Sequence, residues 1–261
     1  MLGTDGKVSR GNALAVAQLR RLGLQVMLVS RADFEIVAGF HDQLELGPGP
    51  LVCYGGAWAV ASGGKEMWYS TSLNLSLVSR LLRFADDLHL KVFYHSSPGV
   101  TLVRERNEQT EFWERARGFR LTVAKELGRA GLTELLAASA GPVQLDLLGT
   151  PEKIREAAAT LRAQHSDILS LSVGQSHLQL RPVEACKSLA VAAVASKLGL
   201  SPQDVVAFGG NEDDAPLLSW AGLGIAPGYA SQRCKEAAGL VTEEMDQTHA
   251  FADSAMLALA R

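Results

Sequence analysis

Carboxylate, ammonium and hydroxyl groups sit at the ends of three apolar runs in this chain. In "VVAFGGNEDDAPLL", residues 205–218, a buried-strand pattern meets a Gly-Gly turn, then Asn211, Glu212, Asp213 and Asp214, then the start of a helix. Hard oxygen ligands of this kind suit Mg2+, which keeps several waters and binds phosphate through only one or two carboxylates. Lys187, at the start of the helix pattern "KSLAVAAVASKLGL", offers a fixed positive charge for phosphate. Ser30 closes the run "LQVMLVS" with a hydroxyl. In an open parallel sheet, ligands bind beyond the carboxyl ends of the strands, which places Ser30 and the 209–214 loop on one rim. Each group also has a plain reading. Asp213 or Asp214 can cap a helix and offset its dipole without a metal, and Ser30 and Lys187 are ordinary residues for a strand end and a solvated helix. Only their joint order favours phosphate chemistry.

The elements that must carry these groups follow from periodicity. Apolar residues from Gly11 to Leu22 recur at helical spacing, Gly23 stops the helix, and "LQVMLVS" predicts a fully buried strand ending at Ser30. The same alternation returns late: a helix closed by Gly199, the strand "DVVAFGG", the helix "DDAPLLSWAG", the strand "LGIAP" and the helix "YASQRCKEAAG". This predicts a mostly parallel sheet covered on both faces. Between about Ala61 and Arg181 the strands "EMWYST", "KVFYHS", "VTLVRE", "VQLDLL", "ILSLSV" and "HLQLRP" mostly alternate in polarity, with amphipathic helices at "SLVSRLLRFADDL" and "PEKIREAAATLRAQ". Such strands belong to antiparallel sheets. The expected organisation is an α/β core formed by residues 1–60 and 182–261, with an α+β insert over 61–181.

Composition narrows the function. The chain has 261 residues, is 47% hydrophobic, and carries 25 basic against 28 acidic side chains, a net charge of −3 without long runs. Neither a nucleic-acid footprint nor a polybasic membrane anchor is visible, so a small-molecule ligand is expected. Cys53, Cys186 and Cys234 lie far apart, against a disulfide framework or a thiolate metal site. No signal-peptide core or membrane-length apolar run is present, and a cytoplasmic protein is expected. The oligomeric state is not legible. "GLGIAPG", Gly222–Gly228, has the wrong spacing for a dinucleotide fingerprint and predicts a strand-end turn. "SGGKE", residues 62–66, predicts a hairpin turn, and histidines such as His95 and His177 lack metal-ligand spacing.

A strand ending in Ser or Thr, an α+β insert, a lysine-bearing helix, then strand, Gly, acidic loop and helix resembles the haloacid dehalogenase superfamily, in particular its Cof-type sugar-phosphate phosphatases with a large inserted cap. The segment "LQLRPVEACKSLAVAAVASKLGLSPQDVVAFGGNEDDAPLLSWAGLGIAPGYASQRCKEAAGLVT" carries most of the likeness. "GLQVMLVSRA" and "LVCYGGAWA" resemble the strand of the second motif and the Asn-Gly-Ala turn before the cap. The resemblance implies a Rossmann-like core and hydrolysis of a small phosphorylated metabolite such as a sugar phosphate. In that chemistry one aspartate attacks phosphorus, another acts as acid and base, and Mg2+ and lysine neutralise the transferring group. It implies phosphate binding by Ser30 and Lys187, a catalytic role for Lys187, and a metal side formed by Asp213 and Asp214 with Asn211 as a weaker contributor. The cap is implied to close over the site and select the leaving group.

Several positions depart from the family pattern. The acidic loop, Gly-Asp-x-x-Asn-Asp in the family, reads Gly209-Gly210-Asn211-Glu212-Asp213-Asp214, so the principal metal carboxylate is replaced by Gly210. Gly55, Ser188 and Tyr229 stand where the pattern has Asn, Gly and Asn. The opening "MLGTDGKVSRGNALAVAQL" matches only what normally follows the Asp-x-Asp motif, so no nucleophile is assigned, and Asp5-Gly6 is expected to be an ordinary turn. The family's first strand, central in the sheet, is expected to be missing. The gap would close by direct pairing, be filled by another segment, or belong to a chain starting upstream. Two functions remain: a Mg2+-dependent phosphatase impaired as it stands, or a non-catalytic relative binding a phosphorylated ligand or protein partner.

Overall fold

The computed structural model describes residues 7–97, 100–103, 108, 111, 121–123, 141–243 and 250–259. Asp5 and Gly6 and the end of "VTLVRE" lie outside them. In chain order come α1 (Arg10–Arg21), β1 (Leu28–Val29), α2 (Phe34–Gln43), β2 (Pro50–Cys53), β3 (Trp58–Ala61), β4 (Met67–Ser70), α3 (Leu75–Asp87), β5 (Lys91–Ser97), β6 (Val100–Val103), β7 (Leu121–Val123) and β8 (Gln144–Leu148). They are followed by α4 (Pro151–His165), β9 (Leu169–Val173), β10 (His177–Pro182), α5 (Lys187–Lys197), β11 (Val206–Phe208), α6 (Ala215–Trp220), β12 (Leu223–Ala226), α7 (Gln232–Ala237), β13 (Leu240–Val241) and α8 (Ala250–Leu259).

The helices start and stop where local chemistry dictates. Ser9 caps α1 by accepting from the Asn12 N–H at 3.2 Å, and Gly23, at φ 83°, supplies the left-handed residue beyond its end. Asn74 caps α3 in the same manner, and Pro151 opens α4 at a position where its missing N–H costs nothing. Gly199, at φ 72°, follows the last turn of α5.

Two parallel ladders form the core, and they are separate. One sheet has the order β1-β2-β3-β4, with β1 parallel to β2 and the remaining pairs antiparallel; the other, β11-β12-β13, is parallel throughout. Direct pairing of β1 with β11 is therefore not how the expected gap is closed among the described residues. The run "LQVMLVS" yields only a two-residue strand whose side chains are half-buried, in contrast to the fully buried strand expected. Among the described residues it has a neighbour on one edge only, and its ladder is short and its side chains stay partly open.

Packing holds the two ladders together. On one face Val26 and Phe208 meet Ala15 and Leu19 of α1 and Phe251 and Ala255 of α8. On the other, Met27, Val29 and Val52 share a cluster with Ala190, Val191 and Val194 of α5 and Ala207, Leu217 and Leu218. Helix α5 thus straddles the seam, touching β2, β3 and β4 on one side and α6 on the other. The expected "EMWYST" strand is β4, and by pairing it belongs to the β1–β3 sheet. Ser62–Glu66 makes the β3–β4 hairpin turn, as its spacing suggests.

The remaining strands form a six-stranded sheet of order β7-β6-β5-β8-β10-β9. Val92, Tyr94, Leu145, Leu147, Leu178 and Leu180 pack under Leu77, Val78 and Leu81 of α3 and Ile154, Ala157 and Leu161 of α4. The opposite face carries His95, Gln144, Asp146, Gln179 and Arg181, all buried. Alternation of polarity is as expected for one-sided antiparallel strands, but the polar side is not given over to water.

Gly56 joins these layers. It has φ 100°, and a Cβ on it would lie 2.3 Å from the Cys186 carbonyl carbon, whereas Gly23 has open space around it. Gly23→Ala is expected to cost about 1–2 kcal/mol of left-handed strain. Gly56→Ala adds a backbone collision and is expected to cost at least about 3 kcal/mol, a fall in Tm of about 10 °C by calorimetry.

Candidate functional site

Ser30 follows β1 and is fixed by its backbone. Its N–H donates to the Val52 carbonyl (2.9 Å) and its carbonyl accepts from the Gly55 N–H (3.0 Å). Its Oγ accepts from the Ala32 N–H at 3.0 Å, which leaves the hydroxyl proton available to a ligand oxygen. The turn at Gly55 and Gly56 runs from Ser30 to the start of α5, because Gly56 packs against Cys186 and the Lys187 N. Ser30 and Lys187 thus share one rim, as the sequence suggests.

Lys187 is the first residue of α5 and only 4% exposed. An ammonium there faces the positive end of the helix dipole and has lost most of its water, so it needs close anions. It has two: Asp213 Oδ2 at 2.9 Å and Asp214 Oδ1 at 2.5 Å. Asp214 uses its other oxygen, Oδ2, to accept from the N–H groups of Gly210 (3.0 Å) and Asn211 (2.9 Å). This fold of the loop requires glycine at 209, where a Cβ would stand 2.5 Å from that of Asp214. Asp213 also faces Arg31 Nε at 3.6 Å. Burial pushes the Asp213 carboxyl up, but Lys187 and then Arg31 outweigh it and hold the group below the usual carboxylate range. The Asn211 carbonyl accepts from the Asp214 N–H (2.8 Å) and from the Cys234 thiol (2.8 Å), so it anchors the loop.

The structure therefore brings Ser30, Lys187, Asn211, Asp213 and Asp214 to one place. A Mg2+ ion, implied by the family, fits this arrangement poorly. Gly210 offers no side-chain oxygen, while the Asp214 carboxylate serves Lys187 and the loop N–H groups and that of Asp213 faces two cations. Among the described residues, no group of three or more His, Cys, Asp or Glu side chains is gathered to hold a metal ion.

Charge patterning does not single out Arg31 or Arg181, yet both belong here. Arg31 is half-exposed beside Asp213. Arg181, at the end of β10, is 4% exposed and lies against Gly55, whose Cβ, if present, would be 2.8 Å from Nη1. Burial pushes the Arg181 guanidinium down from its ordinary range, with Asp146 the largest opposing influence, and Arg31 and Asp213 also act on it. Behind Arg181, Gln144 Nε2 donates to Asp146 Oδ1 (2.7 Å), Asp146 Oδ2 lies 3.3 Å from His95 Nε2, and His95 Nδ1 lies 3.5 Å from the Tyr54 hydroxyl. His95 is thus a buried polar anchor in the sheet. The one clue in sequence is an arginine on an alternating strand two residues past Gln179, hence on the same face.

A parallel α/β core whose rim gathers serine, lysine and an acidic loop beneath a separate sheet defines a class of phosphate-handling hydrolase folds. The chain matches the profile of the haloacid dehalogenase-like hydrolases over residues 1–254 and belongs to that family, with the Cof-type architecture. In fold it is similar to a Thermotoga maritima protein (TM-score 0.82, 19% identity, 99% of this chain and 92% of that one). It is also similar to a HAD subclass IIB sugar phosphatase (TM-score 0.71, 14% identity, covering 99% and 95%). Among curated proteins it is 43% identical over 67 residues to a phosphoglycolate phosphatase of Methanopyrus kandleri, covering 26% of this chain and 28% of that protein. It is 20% identical to the 5-amino-6-(5-phospho-D-ribitylamino)uracil phosphatase YcsE of Bacillus subtilis over 93% of this chain and 86% of that protein. The match to the first of these relatives thus spans under a third of its length.

Two outcomes follow from the ion pairs. A depressed Asp213 pKa contributes stability above the ordinary carboxylate pKa of about 3.9, lost as pH falls through the lower folded value. Lys187→Met is expected to cost about 3 kcal/mol at pH 7, since it leaves the buried Asp214 carboxylate without its ammonium while the half-exposed Asp213 keeps Arg31. Urea unfolding should also show less stability lost between pH 5 and pH 2 than in the wild type; an unchanged acid slope would contradict the pairing. At Gly210 a Cβ would meet Tyr229 Cε2 at 3.4 Å, an ordinary contact, and φ is not left-handed. Gly210→Asp is therefore expected to fold and to gain a Mg2+-dependent rise in Tm of a few degrees that the wild type lacks.

Proposed function

We propose that this rim binds the phosphoryl group of a small phosphorylated metabolite, and that phosphomonoester hydrolysis is impaired in these 261 residues. The observation that carries the reading is the buried Lys187 ammonium, held by Asp213 and Asp214 beside the Ser30 turn. Ser30 donates its hydroxyl proton to a phosphoryl oxygen and Lys187 neutralises the phosphoryl charge. Arg31, half-exposed next to Ser30, meets the ligand at the mouth. Within the insert expected over residues 61–181, the six-stranded sheet with α3 and α4 acts as the cap that excludes water and selects the leaving group.

Impairment is supported by Gly210 in place of the metal carboxylate and by the engagement of Asp213 and Asp214 with cations. Mg2+ remains the ion the family implies for catalysis. The same engagement of the carboxylates favours a second reading, in which the site is a phosphate-dependent binding module without turnover. Neither nucleic acid nor membrane is proposed as a partner; no helix among the described residues is long and apolar enough to cross a membrane. A reducing, cytoplasmic setting is proposed from the three free thiols.

The 261-residue chain is expected to show no Mg2+-stimulated hydrolysis of p-nitrophenyl phosphate above background. Inorganic phosphate is expected to raise its Tm, and Ser30→Ala to weaken phosphate binding about tenfold by calorimetry, as loss of one hydrogen bond to a charged group would. Robust turnover abolished by Lys187→Ala would overturn the impaired assignment, and absence of phosphate binding would overturn the site itself.

A further inference from the structure

The inner face of the six-stranded sheet is polar, buried and incompletely satisfied. Register places Phe93 opposite Asp146, Asp146 opposite Gln179, and Gln179 opposite Ser172; the next row has His95 opposite Gln144 and Arg181 opposite Ser170. Leu180 pairs with Leu145, so Arg181 and Gln144, one step further along, are cross-strand neighbours on the same face. Side chains directly opposite in an antiparallel pair have Cβ atoms about 4.5–5.5 Å apart.

Two atoms in this row stand out. The Gln144 amide is oriented by its neighbour, since Nε2 donates to Asp146 Oδ1 at 2.7 Å, and this leaves Oε1 as a fixed acceptor. Gln144 is 0% exposed, and Oε1 has no hydrogen-bond partner among the described residues. Arg181, 4% exposed, likewise has no hydrogen-bond partner for Nη1. Its guanidinium lies on the Gly55 turn, whose N–H is bonded to Ser30, so it overhangs the phosphoryl rim. Buried polar atoms in folded proteins are almost always paired, and a buried donor and acceptor on neighbouring positions of one face, each without a partner among the described residues, mark a place that a ligand completes.

We propose that Arg181 and Gln144 read the end of the ligand remote from its phosphate. The guanidinium Nη1 donates to a carboxylate oxygen and Gln144 Oε1 accepts from a hydroxyl, so the ligand class is a short phosphorylated hydroxy acid. A carboxylate is the favoured acceptor because a buried guanidinium gains most from a charge-assisted hydrogen bond. The assignment rests on phosphoryl binding at Ser30 and Lys187, and it gives the overhanging sheet a selective role.

The test uses the full chain in EDTA with three probes: ethyl phosphate, glycerol 3-phosphate and 3-phosphoglycerate, measured by calorimetry. The wild type is expected to bind 3-phosphoglycerate at least tenfold more tightly than glycerol 3-phosphate. Arg181→Gln is expected to erase that preference while holding glycerol 3-phosphate affinity within about threefold. Gln144→Leu is expected to erase the advantage of glycerol 3-phosphate over ethyl phosphate. Should Arg181→Gln fail to fold, Gly55→Ala tests the same contact from the other side, since its Cβ displaces the guanidinium. Equal binding of 3-phosphoglycerate and glycerol 3-phosphate by the wild type, or a preference that survives both Arg181→Gln and Gly55→Ala, overturns the proposal. If ethyl phosphate binds but the larger probes bind no better, the Arg181–Gln144 pair alone falls. If no probe binds, the phosphoryl site falls and the pair with it.

Discussion

Asp213 collects two cations across a seam that no backbone hydrogen bond crosses among the described residues. Arg31 follows β1, Lys187 begins the helix packed on β2–β4, and Asp213 and Asp214 follow β11 in the other ladder. The ion pairs therefore clamp the carboxyl ends of two half-sheets at the point where a ligand is expected. Their partial burial makes them depend on one another: Lys187 is held by both carboxylates, and the low pKa of Asp213 depends on Lys187 and Arg31. Below the clamp, apolar side chains of α1, α8, α5 and α6 complete the joint from both faces. Any anion entering here competes with Asp213 and Asp214 for the same cations, so binding and domain cohesion draw on one set of charges.

The six-stranded sheet shows a different compromise. Its outer face follows ordinary rules, with Val92, Tyr94 and a row of leucines under two amphipathic helices. Its inner face buries His95, Asp146, Gln144 and Arg181, which costs desolvation energy that only partners can offset. The His95–Asp146–Gln144 chain supplies several of those partners and orients the amide. The Tyr54 hydroxyl, whose ionisation is suppressed by burial and then by Asp33 and Glu35, meets that chain from the core side as a neutral group. Polarity retained inside a protein contact is consistent with a surface selected for what it holds.

Much of the fold was legible. Helix α1, with Gly23 beyond it, α3 and α4 with their amphipathic stripes, and the β11–α6–β12 alternation follow from 3.6-residue and strand periodicities and from caps visible as Ser9, Asn74 and Pro151. The rim was legible too, because Ser30, Lys187, Asp213 and Asp214 lie at ends of recognisable elements in an order shared with a known family. Three things were not. The length and burial of β1 depend on whether a neighbour pairs with its far edge, which "LQVMLVS" cannot encode. The pairing of β4 with β3 is a long-range choice, since "EMWYST" suits either sheet. Arg181 and Gln144 look like solvent-facing positions on alternating strands, and only the docking of one sheet over another buries them.

The close contact between Gly55 and the Arg181 guanidinium carries an evolutionary corollary. The family pattern has asparagine where this chain has Gly55, and a side chain there would occupy the space the guanidinium now fills. A side chain at 55 would have to share that space with the guanidinium, the far end of a flexible side chain that can swing aside, so substitutions at 55 and 181 are coupled rather than independent.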